Sequence, residues 1–132
     1  MLLPFQQFID TAVASQEQDQ TLARLYAEVI RLQNLKDMTG VLSCVHAESF
    51  GRILIQQILE PFFNLFTLQY SLISHAYVGS DGEYTYYRAK VKIEKIAGPD
   101  FKNGLTENLV LYKQQQGQWK VWNRVLLTMV AV

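Results

Sequence analysis

The sequence predicts an α+β fold in which N-terminal helices pack into the concave face of a strongly curved, antiparallel, four-stranded meander. Three observations carry this. Residues before Thr67 follow helical periodicity. Residues from Thr67 to Val132 form long strand-like runs, and three turn clusters separate those runs. Consecutive strands joined by short turns pair antiparallel. A long twisted sheet curls, and one that curls around helices can enclose a pocket. The 132 residues fit a single domain, 1–132, large enough for one core.

The elements follow in order. Phe5, Phe8, Ile9 and Ala12 repeat at i, i+3, i+4, i+7 behind Pro4, which suits a first helical turn, so an extra N-terminal helix is expected within 1–18. Ser15 and Gln18 have the spacing of a capping box for a second helix, with Leu22, Leu25, Tyr26, Val29 and Leu32 on one stripe and an end near Asn34. A short third helix from Lys36 turns Met38, Val41, Leu42 and Val45 inward. Ser49 caps a fourth, striped by Leu54, Ile55, Ile58, Leu59 and Phe62. Pro61 lacks an amide hydrogen, so this helix is expected to kink there or stop near Leu59. The strands are expected at Thr67–Val78, Tyr84–Ile96, Leu105–Lys113 and Trp119–Val130. Gly79-Ser80-Asp81-Gly82, Gly98-Pro99 to Gly104, and Gln114 to Gly117 separate them.

Composition excludes several function classes. Twelve basic and twelve acidic residues give zero net charge, which argues against nucleic-acid binding by phosphate neutralisation and against a polybasic membrane anchor. Low net charge also leaves little repulsion between copies. Cys44 is the one cysteine, so neither an internal disulfide nor a cysteine-rich metal site can form, and a reducing compartment fits. Ala12-Val13-Ala14 resembles a leader cleavage site. However, no Lys or Arg precedes it, and Gln6, Gln7 and Asp10 interrupt the apolar run. No stretch reaches the roughly 20 apolar residues of a membrane span. The expected location is cytoplasmic.

Side chains alternate across a sheet, so each strand divides into two sets. The more apolar sets are assigned to the inner face: Tyr70, Leu72, Ser74 and Ala76; Tyr87, Ala89, Val91 and Ile93; Leu105, Glu107, Leu109 and Leu111; Trp119, Val121, Asn123, Val125, Leu127 and Met129. Tyr70, Ser74, Tyr87, Glu107 and Asn123, with Trp119, are then the expected pocket lining. The outer face receives His75, Tyr77, Tyr86, Arg88, Tyr112, Trp122 and Arg124. So many aromatics on a solvent face suggest a second copy of the chain against it. A bulge would swap faces partway along a strand.

Four segments carry a family resemblance: Leu42-Ser43-Cys44-Val45-His46-Ala47-Glu48-Ser49, Val78-Gly79-Ser80-Asp81-Gly82-Glu83, Lys95-Ile96-Ala97-Gly98-Pro99-Asp100-Phe101 and Gly117-Gln118-Trp119-Lys120-Val121-Trp122. With the helix-then-meander order, Thr21–Val130 resembles the nuclear transport factor 2-like superfamily, the cystatin-like α+β cone shared with ketosteroid isomerase and scytalone dehydratase. It is most similar to small bacterial members with no assigned activity. The resemblance implies the fold. Neither enzyme's catalytic set maps onto this chain residue by residue, and one fold of this kind hosts many functions.

Candidate chemistry centres on Glu107. A desolvated carboxylate beside a hydroxyl can transfer a proton next to a carbonyl. His46 is a second candidate, although a histidine at a helix end also caps carbonyls. Cys44 and His46, two apart, do not share a helix face. Two histidines without clustered carboxylates do not make a metal site, and no phosphate-binding glycine loop is present. No cofactor, nucleic-acid partner or membrane partner is expected. The favoured function is a non-catalytic module, homodimeric through Tyr77, Tyr86, Arg88, Tyr112, Trp122 and Arg124, whose cone binds a small apolar ligand or a protein partner. The alternative is an isomerase or lyase with Glu107 as general base.

Overall fold

A 31-residue helix, α1 (Pro4–Asn34), leads into a short helix α2 (Met38–Ser43) and a third, α3 (Gly51–Leu65). Four strands follow: β1 (Thr67–Ser80), β2 (Thr85–Ala97), β3 (Gly104–Gln115) and β4 (Gln118–Ala131). They form one antiparallel sheet in the order β1-β2-β3-β4. The computed structural model describes the backbone of residues 4–132 and the side chains of residues 16–132. The stripe expected at Phe5, Phe8, Ile9 and Ala12 lies outside the described side chains.

Two helix expectations need correction. Ser15 to Gln20 lie inside α1, so Pro4–Asn34 is one continuous helix and not two joined at a capping box. Most residues of this polar run tolerate helical backbone, and nothing in it breaks helix geometry as Gly or Pro would. The helix α3 does not stop near Leu59 but continues past Pro61 to Leu65. A proline there removes one helical hydrogen bond, and Ile55 and Leu59, both buried, hold the turns before it against the sheet.

Of the helix stripe predicted from periodicity, Leu22, Tyr26, Val29 and Leu32 of α1 are buried against the concave face, Leu25 is partly buried, and Ile30, outside the predicted stripe, joins the core. The ends of the helices are tied down by specific bonds. Lys36, in the left-handed conformation at φ 55°, turns the chain after α1. The Asp37 carboxylate accepts the Gly40 amide at 2.9 Å and caps α2. Arg52 donates to the Leu42 and Val45 carbonyls at 2.7 and 3.1 Å, which satisfies the open end of α2. Asn34 acts as a surrogate strand. Its side-chain amide donates to the Tyr70 carbonyl at 3.0 Å and accepts the Tyr70 amide at 2.7 Å.

Both sheet edges receive cover. Beside β4, Val45 forms a parallel bridge to Val121. His46 donates its amide to the Val121 carbonyl at 2.8 Å, and the Val121 amide reaches the Cys44 carbonyl at 2.9 Å. At the start of α3, the Ser49 hydroxyl donates to the Trp122 carbonyl. A Cβ on Gly51 would sit 2.5 Å from that same carbonyl, so only glycine lets α3 approach the strand this closely. The β3–β4 hairpin turns on Gln116 and Gly117, both at positive φ (51° and 80°), the geometry of a two-residue type I′ turn.

Register shifts decide which side chains face inward. On β1 the pairing with β2 slips at Ile73 and again at Val78. On β4 the pairing with β3 slips at Trp122 and Leu127. Each slip is a bulge that exchanges the faces beyond it. The inner set on β1 is therefore Leu68, Tyr70 and Leu72 before the first bulge, then His75 and Tyr77, which pair with Ala89 and Tyr87. On β4 the inner set passes from Val121 to Arg124, Leu126 and Met129.

The strand β3 is unbulged relative to β2, yet its faces are the reverse of those expected. Thr106, Val110 and Tyr112 are buried, and Asn108 faces the interior with them. Leu105, Glu107, Leu109 and Leu111 lie on the outer face. The hydrophobic count favoured the wrong set because the inner one carries polar residues that line a cavity.

Candidate functional site

Between α3 and the concave sheet lies a cavity of about 380 Å³. Its walls are mainly apolar: Ile30 from α1, Ile55, Leu59 and Phe62 from α3, Leu68, Val91 and Ile93 from the sheet, and Phe101 from the β2–β3 connection. Leu54 and Ile58 of α3 face Leu126 and Met129 of β4 across its mouth. All four line the cavity and are also exposed, by 48 to 59%. An apolar rim on an apolar cavity is a surface whose contact with water is unfavourable.

A polar floor completes the cavity, built from Gln33, Tyr70, Thr106, Asn108, Asn123 and Arg124. Gln33 is only 3% exposed, and its carbonyl oxygen accepts from Arg124 Nη1 at 2.6 Å. Thr106 donates its hydroxyl to the Val91 carbonyl at 3.0 Å and receives the Asn108 amide at 3.4 Å. The Asn123 oxygen accepts the Arg124 backbone amide at 2.8 Å. Burial raises the Tyr70 hydroxyl above its ordinary acidity range, opposed by the Arg124 charge and by the Gln33 side chain. Tyr70 therefore stays a neutral donor at physiological pH.

A second polar cluster sits on the inner face and meets the cavity lining at Tyr26. His75 stacks on Tyr87 with ring centres 4.4 Å apart and on Tyr26 at 5.9 Å. Its Nε2 hydrogen-bonds the Tyr112 hydroxyl at 2.8 Å, while Nδ1 is buried without a partner among the described residues. Tyr87 donates its hydroxyl to the Asp19 carboxylate. Desolvation pulls the imidazole down to about 4, opposed by the Asp19 charge, so His75 is neutral at pH 7. Burial pushes Tyr87 and Tyr112 well above the phenol range, with the bond to Asp19 adding to the effect at Tyr87.

The residues singled out from sequence distribute as follows. Tyr70 and Asn123 line the cavity. Tyr87 is fully buried on the inner face but belongs to the His75 cluster, and Trp119 packs against the core without reaching the cavity. Ser74 is exposed and pairs with Lys90, on the outer side of the first bulge. Glu107 lies on the outer face, with Oε1 3.1 Å from Arg88 Nε. A general base there would face away from the cavity, so Glu107 is not the base of this site.

His46 is 5% exposed, accepts the Glu48 amide on Nδ1 at 3.1 Å and meets Trp122 edge-on at 5.0 Å. It is built into the loop that covers β4 and lies outside the cavity lining. Burial raises the Cys44 thiol, which keeps it from being a ready nucleophile.

The expected dimer face also divides. Tyr86 and Arg88 are on the outer face, and Trp122 packs there against Tyr84 and under Lys113 Nζ, 4.9 Å from its ring centre. Tyr112 is wholly buried, Tyr77 stacks edge-on against Tyr87, and Arg124 lines the cavity. These three leave the predicted contact surface. Strand alternation missed Thr106, Asn108 and Arg124 as lining residues, and the α1 stripe left out Gln33. Their signal was present in β3, where Thr106 and Asn108 share a phase with Val110 and Tyr112.

No helix among the described residues is long and apolar enough to cross a membrane. Nor do the described residues contain a group of three or more His, Cys, Asp or Glu placed to hold a metal ion.

Helices first, then a curved four-stranded meander around an interior cavity: this is the cystatin-like, nuclear transport factor 2-like α+β fold. Solved structures agree. A protein of unknown function from Mycobacterium tuberculosis superposes with a TM-score of 0.72 at 17% identity, covering 88% of this chain and 74% of that one. A provisionally assigned scytalone dehydratase from Novosphingobium aromaticivorans gives 0.70 at 12% identity, covering 94% and 91%. A nuclear transport factor 2-like protein of unknown function from Pseudomonas putida gives 0.64 at 12%, covering 84% and 86%. At these identities the likeness establishes the fold alone. No curated protein matches the chain significantly. Residues 24–131 match the family model for the C-terminal domain of the anti-sigma-I factor RsgI9. The chain belongs to that family.

Proposed function

We propose that this domain is a ligand-binding module whose cavity, between α3 and the concave sheet, takes up a small and largely apolar molecule. The observation that carries this is the cavity itself: about 380 Å³, walled by aliphatic and aromatic side chains, with an apolar rim at its mouth. Sites of this size and character are the common form of small-molecule pockets. The family supports a binding role, since its namesake is a domain of a regulatory factor.

The module works as a homodimer through the outer sheet face. The paired Leu109 and Val125 lie there, with Leu105 opposite Val130 and Leu111 nearby. These aliphatics replace Tyr77, Tyr112 and Arg124 as the contact surface. The domain acts in the cytoplasm, in keeping with its single, buried cysteine.

Neutral apolar probes test the cavity. Octanol and phenylbutanol should raise the melting temperature of the protein in a dose-dependent way. Ile58→Arg, which places a cation in the mouth, should abolish the shift while leaving the melting temperature without ligand nearly unchanged, because Ile58 is exposed. Absence of any shift in the wild-type protein with both alcohols would defeat the proposal.

A further inference from the structure

Among the described residues, Arg124 is the one cation lining the cavity, and no Asp or Glu lines it. None of the ion pairs among the described residues includes it. A guanidinium carries five N–H donors. The Arg124 side chain has one protein acceptor among the described residues, the Gln33 oxygen at 2.6 Å. Gln33 is itself buried in α1, so this bond fixes the orientation of the planar fork. Arg124 is partly buried on the lining of a mainly apolar cavity, where attraction between a cation and an anion is stronger than in bulk water.

The neighbouring groups suit the same ligand. Tyr70 is 8% exposed, and its hydroxyl stays protonated. Asn108 and Asn123 also reach the lining, and the Asn123 oxygen is engaged by the Arg124 amide, which leaves its NH₂ as the free end. The floor thus presents donors around a fixed positive charge, while the walls and mouth are apolar.

Resting on the ligand-binding reading of this cavity, we infer that its ligand is an amphipathic carboxylate, with the carboxylate held by Arg124 and Tyr70 at the floor and the apolar body lying between α3 and the sheet. Planar guanidinium and planar carboxylate match in a two-pronged geometry. A ligand of this class orders itself by polarity, since only the charged end finds donors and only the apolar end fits the walls.

Matched pairs of acid and alcohol separate the two claims. Octanoate and octanol, and phenylbutyrate and phenylbutanol, are titrated into the protein near pH 7.5 by calorimetry. Each acid should bind about tenfold more tightly than its alcohol, the yield of one or two charge-assisted hydrogen bonds. Arg124→Gln should erase that preference and leave alcohol binding in place. Tyr70→Phe should reduce acid affinity by a few-fold and spare the alcohol.

Equal affinity of acid and alcohol in the wild-type protein overturns the inference while the apolar cavity reading stands. Such a result would mean that water satisfies Arg124. Failure of both members of each pair to bind overturns the inference and the cavity reading together. If Arg124→Gln does not fold, the wild-type comparison and Tyr70→Phe decide.

Discussion

At the scale of single residues, the chemistry follows from which face a side chain occupies. One step along a strand separates an outward-facing carboxylate from a buried hydroxyl, as Glu107 and its neighbour Thr106 show. His75 is the clearest case. Stacked between tyrosines and bonded to Tyr112, it is held neutral well below the ordinary imidazole range. Its folded value near 4 lies below the unfolded value near 6.5, so the unfolded chain binds the extra proton between those two pH values. The stability it protects is therefore present above pH 6.5 and is lost as the pH falls towards 4. Allowing for its partial exposure, the loss amounts to about 1–2 kcal/mol. Urea melts at pH 7 and pH 4.5 should show the drop, and His75→Phe should make it smaller. Equal pH slopes in the two proteins would remove His75 as the cause.

At the scale of elements, much was legible and the errors have physical reasons. All four strands and their turns could be placed from Gly79 to Gly82, Gly98-Pro99 and Gln116-Gly117, because turn chemistry is local. The α1 stripe was legible because every member faces one core. The faces of β1 and β4 were not. Bulges at Ile73, Val78, Trp122 and Leu127 depend on pairing with neighbouring strands, which periodicity within one strand does not reveal. On β3 the failure was different. Leu105, Leu109 and Leu111 outnumber the aliphatics opposite them, yet the inner set faces a cavity with a polar floor and is accordingly mixed.

A second prediction belongs at this scale. Asn34 alone joins the end of α1 to the Tyr70 backbone through two hydrogen bonds. Asn34→Ala should cost about 1–3 kcal/mol, since it leaves partly buried backbone groups of β1 without protein partners. A urea midpoint within error of wild type would show that water replaces the amide without loss.

At the scale of the whole molecule, two surfaces carry the proposals, and they are separable. The cavity opens between α3 and β4, while the outer sheet face is the opposite side of the same strands. Dimerisation and ligand binding should therefore respond to different substitutions. Light scattering of the wild-type protein at tens of micromolar should give the mass of a dimer. Val125→Glu, which places a charge on the outer face beside Leu109, should give a monomer that still binds octanol. A wild-type monomer at that concentration would refute the dimer and leave the cavity untouched.

The bulges on β1 also bear on what becomes of the protein at high concentration. β1 is an edge strand of an open sheet, and Asn34 engages its free rim at Tyr70 only. Farther along, Ile73 and Val78 are more than half exposed, a composition that invites another strand to add alongside. A flat run of unpaired amides and carbonyls would template that addition. The slips at Ile73 and Val78 break the regular spacing such a template needs. The irregularity that hides the face pattern from a reader of the sequence should also make the edge a poor template for other copies of the chain.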